Sequence, residues 1–150
     1  PTKAVEQDKE LDDILLVSLG CSCGPKLSFK DLGRGSETLP FDWMRSSMNG
    51  LLHFLQHDFD GFLDWVSEHD VPGSKSMRAF RGQEHSFWHD NPRTESMQTK
   101  YRRRIKRFNE LDARTKPVLF VRAAASSDEI KSADCLLNGL QKKFGPEALL

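Results

Sequence analysis

The residues best suited to chemistry in this sequence are two thiols set two positions apart, in Gly20-Cys21-Ser22-Cys23-Gly24. The pentapeptide follows a short apolar run and precedes Pro25, a residue favoured in the first turn of a helix, so it reads as the turn between a strand and a helix. The carboxyl end of a strand is where α/β sheets hold their ligands. A thiol there faces the positive end of the helix dipole and orphan backbone N–H groups, which favour thiolate and stabilise an oxyanion; Cys23 is better placed for this than Cys21. The competing reading is a small cysteine packed beneath the helix, because free cysteine is among the most buried residue types.

A nucleophilic cysteine needs a base within hydrogen-bond reach and a third group to fix the imidazole tautomer. Among the five histidines, His89 is framed by Phe87, Trp88 and Asp90 and is the first choice; His69 and His85 lie in polar sequence, and His53 and His57 are spaced to share a solvent-facing side of a helix. Asp42 and Asp90 are the candidate orienters. Asp42 stands between Phe41 and Trp43, where an ionised carboxylate must accept hydrogen bonds to offset its desolvation, so capping backbone N–H groups is the slightly favoured role. Other uses of the turn fail on counting. Six residues after the two cysteines stand Leu27 and Phe29, not the arginine of a phosphatase loop, and Gly20 and Gly24 lack the further glycines or Lys-Ser/Thr of nucleotide sites. Cys21 and Cys23 lack the second close-spaced ligand pair of a structural zinc site, so neither metal nor cofactor is expected.

The elements that would position these groups can be traced along the chain. Residues 1 to 13 are polar, and residues 14 to 150 read as a single α/β domain. Ile14 to Leu19 is a buried strand, Pro25 to Leu32 a short helix with Leu27 and Leu32 on one face and Gly33 as its stop, and Arg34 to Thr38 a loop. Met48, Leu51, Leu52, Leu55 and Phe59 have helical spacing, whereas residues 70 to 93, with Pro72, Gly73, Gly82 and Pro92, read as a long loop or short strands. Met97, Tyr101, Ile105, Phe108 and Leu111 mark one face of a strong amphipathic helix. Val118 to Val121 is a second strand; Ser126 and Glu129 form a capping box opening a helix with Ile130, Ala133, Leu137, Leu140 and Phe144 inward. Ala148 to Leu150 then begins a third strand whose continuation is expected beyond the last residue. Strand, helix and strand predict a short, mostly parallel sheet with helices on its faces.

Composition bounds the function classes. Lys and Arg number 22, as do Asp and Glu, for a net charge of zero, which removes the general electrostatic argument for nucleic acid. The six basic residues between Lys100 and Arg107 read as a solvated helix face. The apolar runs are far shorter than the ~20 residues of a membrane span. Three cysteines in a chain of this size favour reduced thiols over a disulfide framework, a weak pointer to the cytoplasm, and no signal peptide is visible.

Ser18-Leu19-Gly20 followed by Cys23, then Pro40-Phe41-Asp42-Trp43, Phe87-Trp88-His89-Asp90, the basic helix from Lys100 to Leu111, and Val118-Leu119-Phe120-Val121-Arg122 occur in an order that resembles a family of uncharacterised proteins described as papain-like cysteine peptidases. The resemblance implies Cys23 as nucleophile, His89 as general base and acid, and Asp42 or Asp90 as orienter. It also implies attack on the acyl carbon of a peptide, ester or amide. Gly24, Arg34, Trp43 and Trp88 are the residues expected on the substrate side. A papain-like α+β arrangement is the alternative fold it brings. Cys21, a second thiol beside the nucleophile, departs from the simple pattern and leaves a redox or metal role open. The reading from a different class is a binding module in which the turn holds an anion with help from Arg34, Arg45 or Arg122.

Overall fold

The computed structural model describes residues 13–150, so the polar segment at residues 1 to 12 lies outside the described residues. Its first strand, β1 (Leu15–Ser18), is an apolar stretch that pairs in parallel with β6 (Val118–Val121), in the register Leu15 with Val118 through Ser18 with Val121. The expected third strand contributes one parallel bridge, Leu149 to Leu119, closed by the Leu149 N–H on Val118 O and the Phe120 N–H on Leu149 O. The parallel core read from the sequence is therefore present.

A second sheet joins it. The stretch containing residues 70 to 93 supplies β3 (Ser67–Asp70), β4 (Arg78–Arg81) and β5 (His85–Phe87), which combine with β2 (Met44–Ser46) into an antiparallel sheet of order β2-β5-β4-β3. The architecture is mixed: one short parallel sheet, one antiparallel sheet and five helices among the described residues, compatible also with the α+β description. The helices are α1 (Gly24–Asp31), α2 (Met48–Gln56), α3 (Glu95–Asn109), α4 (Ser127–Lys131) and α5 (Ala133–Phe144).

One continuous aromatic core serves both sheets. Phe41 contacts Phe59, Phe62 and Phe108 with ring centroids 5.4, 5.8 and 5.5 Å apart. Phe108 continues to Phe144 beneath the parallel pair, and Phe62 to Phe87 beneath the antiparallel sheet. Edge-to-face pairs of this kind add to the burial of their area. Met97, Tyr101 and Phe108 of α3 are buried as their spacing requires.

Three helix faces differ from expectation, for physical reasons. Leu27 and Leu32 are exposed, and α1 instead buries Pro25, Lys26 and Phe29, because Lys26 has an ionic partner inside. The helix expected to open at Ser126 breaks at Ser132; Ile130 is exposed, and Leu136, Leu140 and Phe144 form the inward face. The capping box does not close through Ser126, whose side chain makes no cap bond, because the Glu129 carboxylate is taken by the Ala125 N–H and by Arg122. The basic face of α3 is only partly solvated: Arg107 donates to Thr38 O at 2.6 Å, and Lys100 and Arg104 turn towards Asp90.

Candidate active site

The Cys-Ser-Cys turn is built on strained backbone. Gly20 has φ +74° and Cys21 φ +70°, the left-handed region that only glycine enters without cost. The turn is held in this shape by close packing, since a Cβ on Gly20 would stand 3.2 Å from Phe41 O and 3.3 Å from Ser46 Oγ. Cys23, half-buried, is the N-cap of α1. The Gly24 N–H donates to Ser22 Oγ at 3.3 Å, a long and weak bond, and Pro25 contributes no donor.

His89 follows β5, and the structure brings it to the cysteine turn. Ser22, Cys23, Trp43, Arg45, Trp88 and His89 line a single cleft of about 170 Å³. Trp43 meets the His89 ring edge-on, with centroids 6.2 Å apart, and the Arg45 guanidinium lies 4.1 Å over the Trp88 ring, whose Nε1 donates to Ser86 Oγ at 2.8 Å. Thus Cys23, Trp43, Trp88 and His89 come together, from α1, the turn before β2, and the end of β5.

The two aspartates are engaged elsewhere. Asp42 is buried and pairs with buried Lys26 at 3.0 Å, while its other contact is the Leu39 N–H at 2.8 Å, which closes the Leu39–Asp42 turn. Burial pushes the Asp42 carboxyl above the ordinary carboxylate range, with the Leu39 N–H and the Lys26 charge partly offsetting that effect. Lys26 also donates to Gly35 O at 2.6 Å and to Glu37 O. Asp90 accepts from Lys100 and from the Tyr101 hydroxyl at 3.0 Å, with Arg104 at 3.9 Å; burial and the neighbouring Asp90 charge hold the Tyr101 hydroxyl well above its ordinary pKa. Each aspartate therefore anchors a segment: Asp42 ties α1, which carries Cys23, to the turn before β2, and Asp90 ties the loop after His89 to α3. Arg34 lies past the end of α1, donates to Ile14 O, and lines a different groove with Lys26, Lys30 and Trp43.

Two features of the region were not legible in the sequence. Arg122, at the end of β6, donates to Leu19 O at 3.0 Å, to Ser46 O at 2.9 Å and bidentately to Glu129, so one side chain clamps the ends of β1 and β2 to α4. Burial raises the Glu129 carboxyl, but the Arg122 and Ala125 hydrogen bonds and the Arg122 charge outweigh it and hold the group below its ordinary range. His85, read as lying in polar surroundings, is buried against Phe54, Phe62 and Phe87, and that burial lowers its pKa. No cluster of three or more metal-ligating side chains occurs among the described residues, where Cys21, Cys23 and Cys135 are free thiols. No helix among them is long and apolar enough to cross a membrane.

Comparison with known proteins gives a family match over residues 14–144, to the family described as "Putative papain-like cysteine peptidase". An uncharacterised protein of Acanthamoeba polyphaga mimivirus is 28% identical over a match covering 74% of this chain and 62% of that protein. The chain thus spans less than two thirds of that relative's length. No solved structure matches.

Proposed function

This chain belongs to the family described as "Putative papain-like cysteine peptidase", and from that premise we propose that it is a cysteine-dependent hydrolase with Cys23 as nucleophile and His89 as general base and acid. The observation that carries the proposal is the shared cleft: a thiol at a helix N-terminus and an imidazole just past the end of a strand, 66 residues away in sequence, line one opening. In the reaction, the Cys23 sulfur attacks the acyl carbon of a peptide, ester or amide as its proton passes to His89. The carbonyl oxygen becomes an oxyanion, to which the Cys23 and Gly24 N–H groups at the start of α1 donate, that of Gly24 being released from its long bond to Ser22. Collapse expels the amine or alcohol, which takes the proton from His89 and leaves a thioacyl group on Cys23. Water, deprotonated by His89, then attacks that group, releasing the acid and restoring the thiol.

The perpendicular contact with the Trp43 ring, rather than a carboxylate, restrains the imidazole in this scheme. Asp42 and Asp90 act as positioning residues, each through the backbone segment it anchors.

Reaction with p-nitrophenyl acetate tests the proposal. Mass spectrometry is expected to find an acetyl group on Cys23, absent in Cys23→Ala and persisting longer in His89→Ala. Acetylation no faster at Cys23 than at exposed Cys135 would overturn it.

A further inference from the structure

Cys21 faces a second, larger cleft of about 550 Å³, whose lining includes Ser22, Arg45, Ser47, Arg81 and Glu84. Ser22 and Arg45 belong to both clefts, so the larger opening continues directly from the one that holds Cys23 and His89. Strand register explains the charge here. Arg45 of β2 pairs with Ser86 of β5, and Ser86 pairs with Arg81 of β4. Directly paired residues project to the same face of a sheet, which makes Arg45, Ser86 and Arg81 one row across three strands. The adjoining row, Met44, Phe87 and Phe80, is buried in the core on the opposite face.

Two strand spacings separate the arginine backbones by roughly 10 Å, a span that the two long side chains can bridge to a single anion, with the Trp88 indole bonded to Ser86 Oγ between them. Among the described residues neither guanidinium forms an ion pair. The Arg45 guanidinium instead sits over the Trp88 ring, and the carboxylate in this cleft, Glu84, accepts from Ser47 Oγ. Arginine is the side chain whose planar fork matches a carboxylate. Two unpaired arginines in one row beside a nucleophile form a receptor for an anion, and the anion that a peptide carries on its side chains is a carboxylate.

We propose that the Arg45–Ser86–Arg81 row binds a carboxylate of the acyl substrate, so that the substrate class is an acidic peptide with Glu or Asp beside the scissile acyl group. The second part rests on the hydrolase reading above; the carboxylate site itself does not. The test uses matched electrophilic probes, acetyl-Glu-Gly and acetyl-Gln-Gly acyloxymethyl ketones, with Cys23 alkylation followed by mass spectrometry. In parallel, acetyl-Glu-Gly amide and its Gln counterpart are titrated into the protein while the arginine Nε–H signals are followed by NMR.

The expected result is labelling about five- to tenfold faster with Glu than with Gln, a modest ratio because the row is open to solvent. The ratio should fall to about twofold or less in Arg81→Gln, in Arg45→Gln, and in about 0.5 M salt. Arg81→Gln is the cleaner variant because Arg45 also supports Trp88. Equal labelling and equal binding of the Glu and Gln ligands would overturn the carboxylate site while leaving a reactive Cys23 in place. Selective, arginine-dependent binding of the Glu amide with no labelling by either probe would support the site and overturn the hydrolase reading.

Discussion

Removing either end of the Lys26–Asp42 ion pair should be strongly destabilising, and removing both should cost clearly less than the two losses added together, because each charge is buried and its remaining partners are backbone groups. Lys26 is 4% and Asp42 1% exposed, and their charged atoms are 3.0 Å apart. In Lys26→Met the Asp42 carboxylate keeps only the Leu39 N–H, and the Gly35 and Glu37 carbonyls lose their donor. A broken buried pair costs about 3–5 kcal/mol, a large share of the ~5–15 kcal/mol that hold a typical domain together. Asp42→Asn should fall near the lower end of that range, since the amide oxygen still accepts from Leu39. The double variant Lys26→Met/Asp42→Asn should be less destabilised than the sum of the single variants by about 2 kcal/mol. Urea denaturation at pH 7 measures all three. The pH dependence supplies a second sign. A carboxyl whose folded pKa is raised takes up its proton in the fold before it does in the unfolded chain, so its contribution favours folding as pH falls. Without Lys26 that shift grows, and the deficit of Lys26→Met relative to wild type should shrink between pH 7 and pH 5. A Lys26→Met cost below about 1 kcal/mol, or a deficit that widens on acidification, would refute the buried-pair description.

Three other outcomes follow from particular contacts. Gly20→Ala should lose about 1–3 kcal/mol in thermal or urea denaturation, since it combines φ +74° with a Cβ 3.2 Å from Phe41 O. Glu129, held below its ordinary range by Arg122, contributes stability that is present above its unfolded pKa of about 4.3 and lost as pH falls through the folded value. In an acid titration followed by circular dichroism, Glu129→Gln should be less stable than wild type at pH 7 and the gap should close towards pH 3. Asp90→Asn, which loosens the loop beside His89, should slow Cys23 acylation severalfold and shift its pH profile, while Asp90→Glu restores part of the rate.

Features set by local periodicity were legible in the sequence. The apolar run at Leu15 to Ser18, the spacing of Met97, Tyr101 and Phe108, and the run at Val118 to Val121 each impose their element without help from distant residues. The turn holding Cys23 was legible for the same reason, because it lies between a strand and a proline-marked helix start. The antiparallel sheet was not. Its strands are three or four residues long, and a run such as Ser67–Asp70 has no apolar alternation to reveal it; only pairing with Arg78–Arg81 makes it a strand. Nothing in the local pattern marks Lys26 as buried, because its partner Asp42 is 16 positions away, and its burial takes the inward face expected for Leu27. His85 looked polar because its sequence neighbours are, whereas its spatial neighbours Phe54 and Phe62 come from α2 and the turn that follows it. Cys23 stood out at its helix start and His89 in its frame of Phe87, Trp88 and Asp90, and the family resemblance strengthened the pairing, although no spacing rule links those positions.

The most direct measurement of the proposed dyad is the rate of Cys23 alkylation by iodoacetamide across pH 5 to 9, read by peptide mass spectrometry in wild type and His89→Ala, with exposed Cys135 as the internal reference. A working Cys23–His89 pair predicts that Cys23 reacts faster than Cys135 at neutral and acidic pH, and that this advantage disappears in His89→Ala while the Cys135 rate is unchanged. Equal rates at the two thiols, or a Cys23 advantage that survives loss of His89, would contradict a catalytic partnership between them.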